Sequence, residues 1–230
     1  MDRRDFVRLV SVLAVGCVLP HCSRSAELKK EVRRMLENED REGFYIRFYK
    51  AFESVDPARW TFKVGGLCEH PRTFTLSALH DLQRETQASR MKCVESWSSK
   101  AKWGGFRPKT LFDMVELKKE AKFLYLRAAD DYYEYIAIDD LLKPRVLFVY
   151  EMNDVPLPDI HGGPLRLIIP SKYGYKSIKT IVKAEFVEHD GTGYWEMFGY
   201  SKDGTIQPGW DYALDLKAYK ELVRKGEPDY

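Results

Sequence analysis

Apolar and polar residues alternate with period two in several short stretches of the chain, the mark of half-buried strands. Trp60-Thr61-Phe62-Lys63-Val64 alternates and meets Gly65-Gly66, and Thr73-Phe74-Thr75-Leu76 resumes the pattern, which predicts two strands joined by a hairpin or a bend. Ser77 ahead of Ala78-Leu79-His80-Asp81-Leu82 predicts an N-cap and a short helix. Lys92-Cys93-Val94-Glu95-Ser96-Trp97 alternates again, predicting a strand that ends near a Gly104-Gly105 turn, and Thr110 to Lys119 reads as helix. Beyond it, Phe123 to Leu126 and Tyr133 to Ile138 read as strands, followed by a short helix at Asp139 to Leu142 closed by Pro144. Strand patterns return at Val146 to Met152, Leu165 to Ile169 and Ile178 to Val187, with a turn at Asn153-Asp154. No long periodic helix alternates regularly with these strands, which argues against a doubly wound parallel sheet; the expected fold class is α+β, mixed and β-rich, in a single domain.

The N-terminal region has a different texture. Asp2-Arg3-Arg4-Asp5-Phe6-Val7-Arg8 precedes an apolar stretch from Leu9 to Leu19, the order of an export signal. Arg3, Arg4 and Phe6 resemble a twin-arginine signal, which exports proteins already folded around a cofactor. The apolar stretch falls short of the roughly 20 residues that span a bilayer core. Lipid attachment at Cys17 or Cys22 stays open, as does tethering of the domain to a membrane through an uncut leader. From Glu27 to Glu42, Leu28, Val32, Met35 and Leu36 recur at helical spacing among Glu, Lys and Arg. The expected organisation is an export signal over 1–26, a helical connector over 27–43 and one folded domain over 44–230, with a periplasmic or otherwise exported location.

Composition narrows the classes. The chain has 230 residues, 44% of them hydrophobic, enough for one core. Its formal net charge of +2 gives no electrostatic case for a nucleic-acid partner. The histidines at 21, 70, 80, 161 and 189 show no compact metal-ligand spacing, and Cys68 with His70 is too sparse for zinc. If the leader is removed, Cys68 and Cys93 remain in an oxidising compartment. There a Cys68–Cys93 disulfide competes with any metal-ligand role for Cys93.

Five segments carry a resemblance: FYIRFY at Phe44 to Tyr49; WTFKVGGLCEHP from Trp60; KCVESW and WGGF around Cys93; HGGPLRLIIPSKYGYKSIK from His161; and GYWEMFGYS from Gly193 to Ser201. In this order they resemble the sulfite oxidase family, including the bacterial periplasmic methionine sulfoxide reductases, over nearly all of the chain after the leader. The resemblance implies a sulfite oxidase-type molybdopterin-binding fold and a molybdenum–molybdopterin cofactor. It implies that Cys93 gives the metal a thiolate, a soft donor suited to a metal that changes oxidation state. Arg47 and Tyr200 take the places of groups beside the metal, an arginine that draws an oxyanion and a tyrosine whose hydroxyl donates to oxygen. Tyr49, His161, Arg166, Lys176, Ser177 and Lys179 fall where the family lines the pterin and its phosphate, which calls for backbone N–H groups held close by glycines and for cations. Without the resemblance, the same basic residues are surface charge flanking two strands, Gly162-Gly163-Pro164 is a turn, and the aromatics simply pack.

Two departures bear on substrate. Phe48-Tyr49 stands where sulfite oxidases carry a polar pair after the arginine, and Arg127-Ala128-Ala129-Asp130 stands where a hydroxyl residue is usual. Both make the expected site less polar. The lost polar pair after Arg47, the small single-domain form and the run PSKYGYKSIK, which resembles the sulfoxide reductase pattern, make the expected activity oxygen-atom transfer that reduces a sulfoxide-like small molecule. Electrons would come from a separate carrier, a membrane haem protein among the candidates, since no haem-attachment signal is present. Sulfite-type oxidation by the same centre, and a scaffold domain that has lost its cofactor, are the alternatives.

Overall fold

The computed structural model describes residues 44–48, 50, 53–221, 223–224 and 227–228. The expected export signal, the connector helix and Tyr49 lie outside the described residues. In chain order the strands are β1 (Thr61–Gly66), β2 (Arg72–Thr75), β3 (Glu85–Cys93), β4 (Trp97–Phe106), β5 (Phe123–Ala128), β6 (Tyr133–Ala137), β7 (Leu147–Met152), β8 (Val155–Pro156), β9 (Arg166–Ile168), β10 (Ile181–Val187), β11 (Trp210–Ala213) and β12 (Ala218–Glu221). The helices are short: α1 (Leu76–His80), α2 (Pro108–Val115) and α3 (Ile138–Leu141).

These twelve strands form two mixed sheets, and Val223–Arg224 pairs separately with Glu227–Pro228. One runs β2-β1-β10-β5-β6; the other runs β12-β11-β4-β7-β8, with β3 paired to β4 and β9 to β7. β1 lies parallel to β10 and β11 parallel to β4, while the other pairs within these sheets are antiparallel. Mixed β architecture with few helices is what the alternation implied.

β7 shows how the sheets are filled. Its residues serve two cores in turn: Phe148 and Tyr150 face a large cluster with Phe62, Phe106, Leu124, Leu126 and Phe186, whereas Leu147, Val149 and Met152 face a smaller one with Phe44, Trp97, Trp103 and Ile168. A strand buried on both faces has little room for polar residues, which explains its apolar run. Each fully buried Phe or Leu stabilises the fold by about 2 kcal/mol relative to its exposed state.

Three local expectations are corrected. α1 begins two residues early, because Thr75 and not Ser77 is the N-cap, its hydroxyl accepting from the Ala78 N–H at 3.2 Å. Gly104-Gly105 is no turn but a bulge inside β4, where the register against β7 shifts. A Cβ on Gly105 would lie 1.9 Å from the Phe148 carbonyl oxygen, so glycine is there for close backbone approach. The expected strand from Lys92 to Trp97 is broken into a hairpin: Ser96 takes a left-handed φ of 64° and the chain reverses between Cys93 and Trp97, which sit opposite each other. Asn153 and Asp154, both at positive φ, form the turn expected of them.

Candidate functional site

The hairpin places Cys93 at the end of β3, half-buried against the smaller core. Burial, and then the Glu95 carboxylate, push its thiol pKa up to about 12. The sulfur therefore keeps its proton at neutral pH in the bare protein. The competing disulfide is absent: Cys68 and Cys93 are both free, and Cys68 is buried in the large core, away from the cluster that Cys93 packs against.

One carboxylate oxygen organises the turn after Cys93. Glu95 Oε2 accepts from Arg47 Nε at 2.7 Å, from Trp97 Nε1 at 3.4 Å and from the Cys93 thiol at 3.8 Å. Arg47 also lies over the Tyr45 ring, 5.4 Å from its centroid, and its carbonyl accepts from Lys179 Nζ at 3.1 Å. Two residues before Cys93 on β3, Met91 packs against the same core. Its sulfur lies 3.3 Å from Nη2 of Arg166.

Arg166 is the most unusual side chain of this face. It is fully buried over the Trp103 ring, and its hydrogen bonds go to the carbonyls of His161 at 2.7 Å and Ser177 at 3.2 Å. Its Nε has no partner, and among the described residues no carboxylate pairs with it. Burial alone lowers its pKa to about 10, so the guanidinium is still charged at neutral pH. An uncompensated buried charge calls for an anion.

The neighbouring expected residues divide. His161 is buried with its ring 5.6 Å from that of Phe44. The buried Ser177 hydroxyl accepts from the Ile169 N–H at 3.1 Å and still has its proton to donate. Lys179 also donates to the Ile160 carbonyl at 3.3 Å and lies 4.3 Å from the Phe48 ring centroid. Gly162, at φ 102°, lets Lys179 pass: a Cβ there would come within 2.7 Å of the lysine Cβ.

Lys176 departs from the phosphate role expected of it. Its ammonium is buried between Glu134, at 2.7 Å, and Glu196, so its charge is already taken by carboxylates of the protein. The Tyr132 hydroxyl donates to Glu134 at 2.9 Å, and the Gly193 N–H donates to Glu196 at 2.8 Å. Burial pushes the Glu134 carboxyl up to about 7 despite the lysine beside it. Tyr200 belongs to this second group: its ring packs edge-on against Tyr175 and tilted against Trp195, both with centroids 5.3 Å apart. Gly174 brings the group up to β3, where a Cβ would sit 3.4 Å from the Lys92 carbonyl oxygen. Asp130 accepts from the Tyr132 N–H in the turn after β5.

The structure thus links Arg47, Cys93, His161, Arg166, Ser177 and Lys179 through Glu95 and Met91, and sets Lys176 and Tyr200 in an adjoining cluster. Glu95, Met91, Trp103, Glu134 and Glu196 escaped the sequence reading. Glu95 left a usable trace, as an acidic residue two positions from the cysteine, and Glu134 left one in the alternation along β6. No three His, Cys, Asp or Glu side chains among the described residues converge as a protein-only metal site would require. An orphaned buried cation against Met91, two residues along β3 from a free thiol, fits a group that carries both an anion and a thiophilic metal.

The family model described as oxidoreductase molybdopterin binding domain matches residues 49–195. The chain belongs to that family. Within this molybdopterin-binding oxidoreductase family, it is 31% identical over 182 residues to the protein-methionine-sulfoxide reductase catalytic subunit MsrP of Xanthomonas axonopodis pv. citri, covering 71% of this chain and 56% of that one. To the MsrP of Campylobacter jejuni subsp. jejuni it is 28% identical over 187 residues, covering 70% and 63%. The chain thus spans less than two thirds of the length of either relative. The crystal structure of the sulfane dehydrogenase SoxCD from Paracoccus pantotrophus superposes with a TM-score of 0.60 at 18% identity, over 63% of this chain and 42% of that one, and so shares the fold. The resemblance read from the five segments, and the β-rich sulfite oxidase-type fold it implied, hold.

Proposed function

We propose that this chain is the molybdenum-dependent catalytic part of an exported oxidoreductase that removes an oxygen atom from a sulfoxide, methionine sulfoxide being the substrate class named for its relatives. One observation carries the reading: Arg166, a buried guanidinium with no carboxylate and an orphaned Nε, shares a sheet face with the free thiol of Cys93. Cys93 would ligate the metal. Arg166, Ser177 and Lys179 would hold the anionic tail of the pterin, with the glycines at 162 and 163 bringing backbone close. When bound, the molybdenum–molybdopterin group supplies two-electron redox chemistry and an oxygen-exchanging metal.

The chain's own residues do the rest. Arg47, and Tyr200 from the adjoining cluster, would offer donors to the sulfoxide oxygen, and the rings of Tyr45 and Phe48 give the site an apolar border. Sulfoxide reduction consumes two electrons and two protons and releases water, so a companion electron carrier is required; a membrane haem protein fits that need. The words catalytic subunit in the relatives' names agree with a partnered enzyme. Export rests on the leader, with its paired arginines at 3 and 4, and anchoring would run through the leader or through a lipid on Cys17 or Cys22.

The test is protein purified from molybdenum-replete cells. Stoichiometric molybdenum and pterin are expected, with reoxidation of the reduced centre by methionine sulfoxide. Cys93→Ser is expected to abolish turnover. A metal-free chain, or a centre reduced by sulfite and indifferent to sulfoxide, would overturn the reading.

A further inference from the structure

The contact between Glu95 and Arg47 carries an inference about which substrates this site refuses; it rests on the sulfoxide reading above. An arginine selects oxyanions by offering two parallel N–H groups and a net positive charge. Here the Nε–H of Arg47 is spent on Glu95 at 2.7 Å. The carboxylate is itself fixed, since the same oxygen accepts from Trp97 Nε1, and a hairpin turn with Ser96 in a left-handed conformation carries it beside Cys93. Both side chains remain open to solutes, at 41% and 47% exposure, so this ion pair lies within reach of whatever approaches Cys93.

We propose that Glu95 is a specificity-determining residue, which screens the charge of Arg47 so that the site admits a neutral oxygen donor and disfavours an anionic one. A sulfite- or sulfate-like anion could grip the fork through Nε only by expelling the carboxylate, and would then lie against its negative charge. A sulfoxide oxygen is neutral and needs one donor, which the fork still has. Lys179, the other cation at hand, faces two carbonyls and the Phe48 ring, and is assigned above to the cofactor's phosphate.

The experiment compares the cofactor-loaded enzyme with its Glu95→Gln variant, a change of near-equal volume at a half-exposed position, with metal content checked to confirm equal loading. Sulfate binding is measured by calorimetry and as inhibition of methionine sulfoxide turnover. The variant is expected to bind sulfate about fivefold more tightly, the scale of one exposed charge pair, with a smaller change in KM for the sulfoxide. Arg47→Ala in the Glu95→Gln background is expected to erase the gain. Unchanged sulfate affinity in Glu95→Gln, or a gain that survives the loss of Arg47, would overturn the proposal. If neither enzyme reduces sulfoxide, the proposed function falls, while the calorimetric comparison still decides whether Glu95 screens Arg47.

Discussion

Arg166 and Lys176 are ten residues apart in sequence, both buried and both expected to meet a phosphate, yet their surroundings are opposite. Arg166 has carbonyls, a sulfur and an indole around it and no acidic partner among the described residues. Lys176 has two glutamates, more negative charge than it can cancel, and burial raises the pKa of Glu134 despite the lysine beside it. A buried cation becomes a receptor for a ligand only when the protein withholds its own carboxylates; supplied with them, it becomes a brace.

Removing each cation should expose that contrast. Lys176→Met leaves Glu134 and Glu196 buried together, and a loss of about 3 to 5 kcal/mol is expected in denaturant unfolding. Arg166→Met removes a charge that has no partner in the bare protein. Little change in the stability of the cofactor-free chain is therefore expected, against a drop of about a hundredfold in pterin affinity. Equal losses of stability in the two variants would dissolve the distinction.

The smallest expected effect is in the pH dependence of the brace, where Glu134 faces Lys176, Glu196 and the hydroxyl of Tyr132. The folded carboxyl titrates near 7, above its ordinary 4.5, so the native state holds that proton where the unfolded chain has released it. Stability from this group is full below about pH 4.5 and is lost as pH rises through 7. Glu134→Gln should flatten that slope by about 2 kcal/mol between pH 5 and 8. A variant that keeps the wild-type pH profile would place the titration elsewhere.

These cases also show how far the chain could be read unaided. Period-two alternation found β1, β5 and β6, because each presents one repeating face to a core, while β7, buried on both faces, showed as an apolar run. It failed at Gly104-Gly105, since a glycine needed for close strand approach carries the same letters as a glycine needed for a turn. The motifs located Cys93 and Arg166 but could not separate Arg166 from Lys176. The carboxylates that claim Lys176 sit on β6 and in the segment after β10, and only the folded chain brings them together. Alternation along β6 does put Glu134 on the inward side with Ile136, a clue to a buried charge that the family motifs did not cover.

β7 has one more implication, for how this molecule can be altered. Odd-numbered Leu147 and Val149 look toward the Cys93 side and even-numbered Phe148 and Tyr150 toward the large core. Inserting or deleting a single residue within that strand would swap the two sets at once. Changes that lengthen or shorten the chain are therefore confined to the connections between strands, and redesign of the Cys93 side must proceed by substitution.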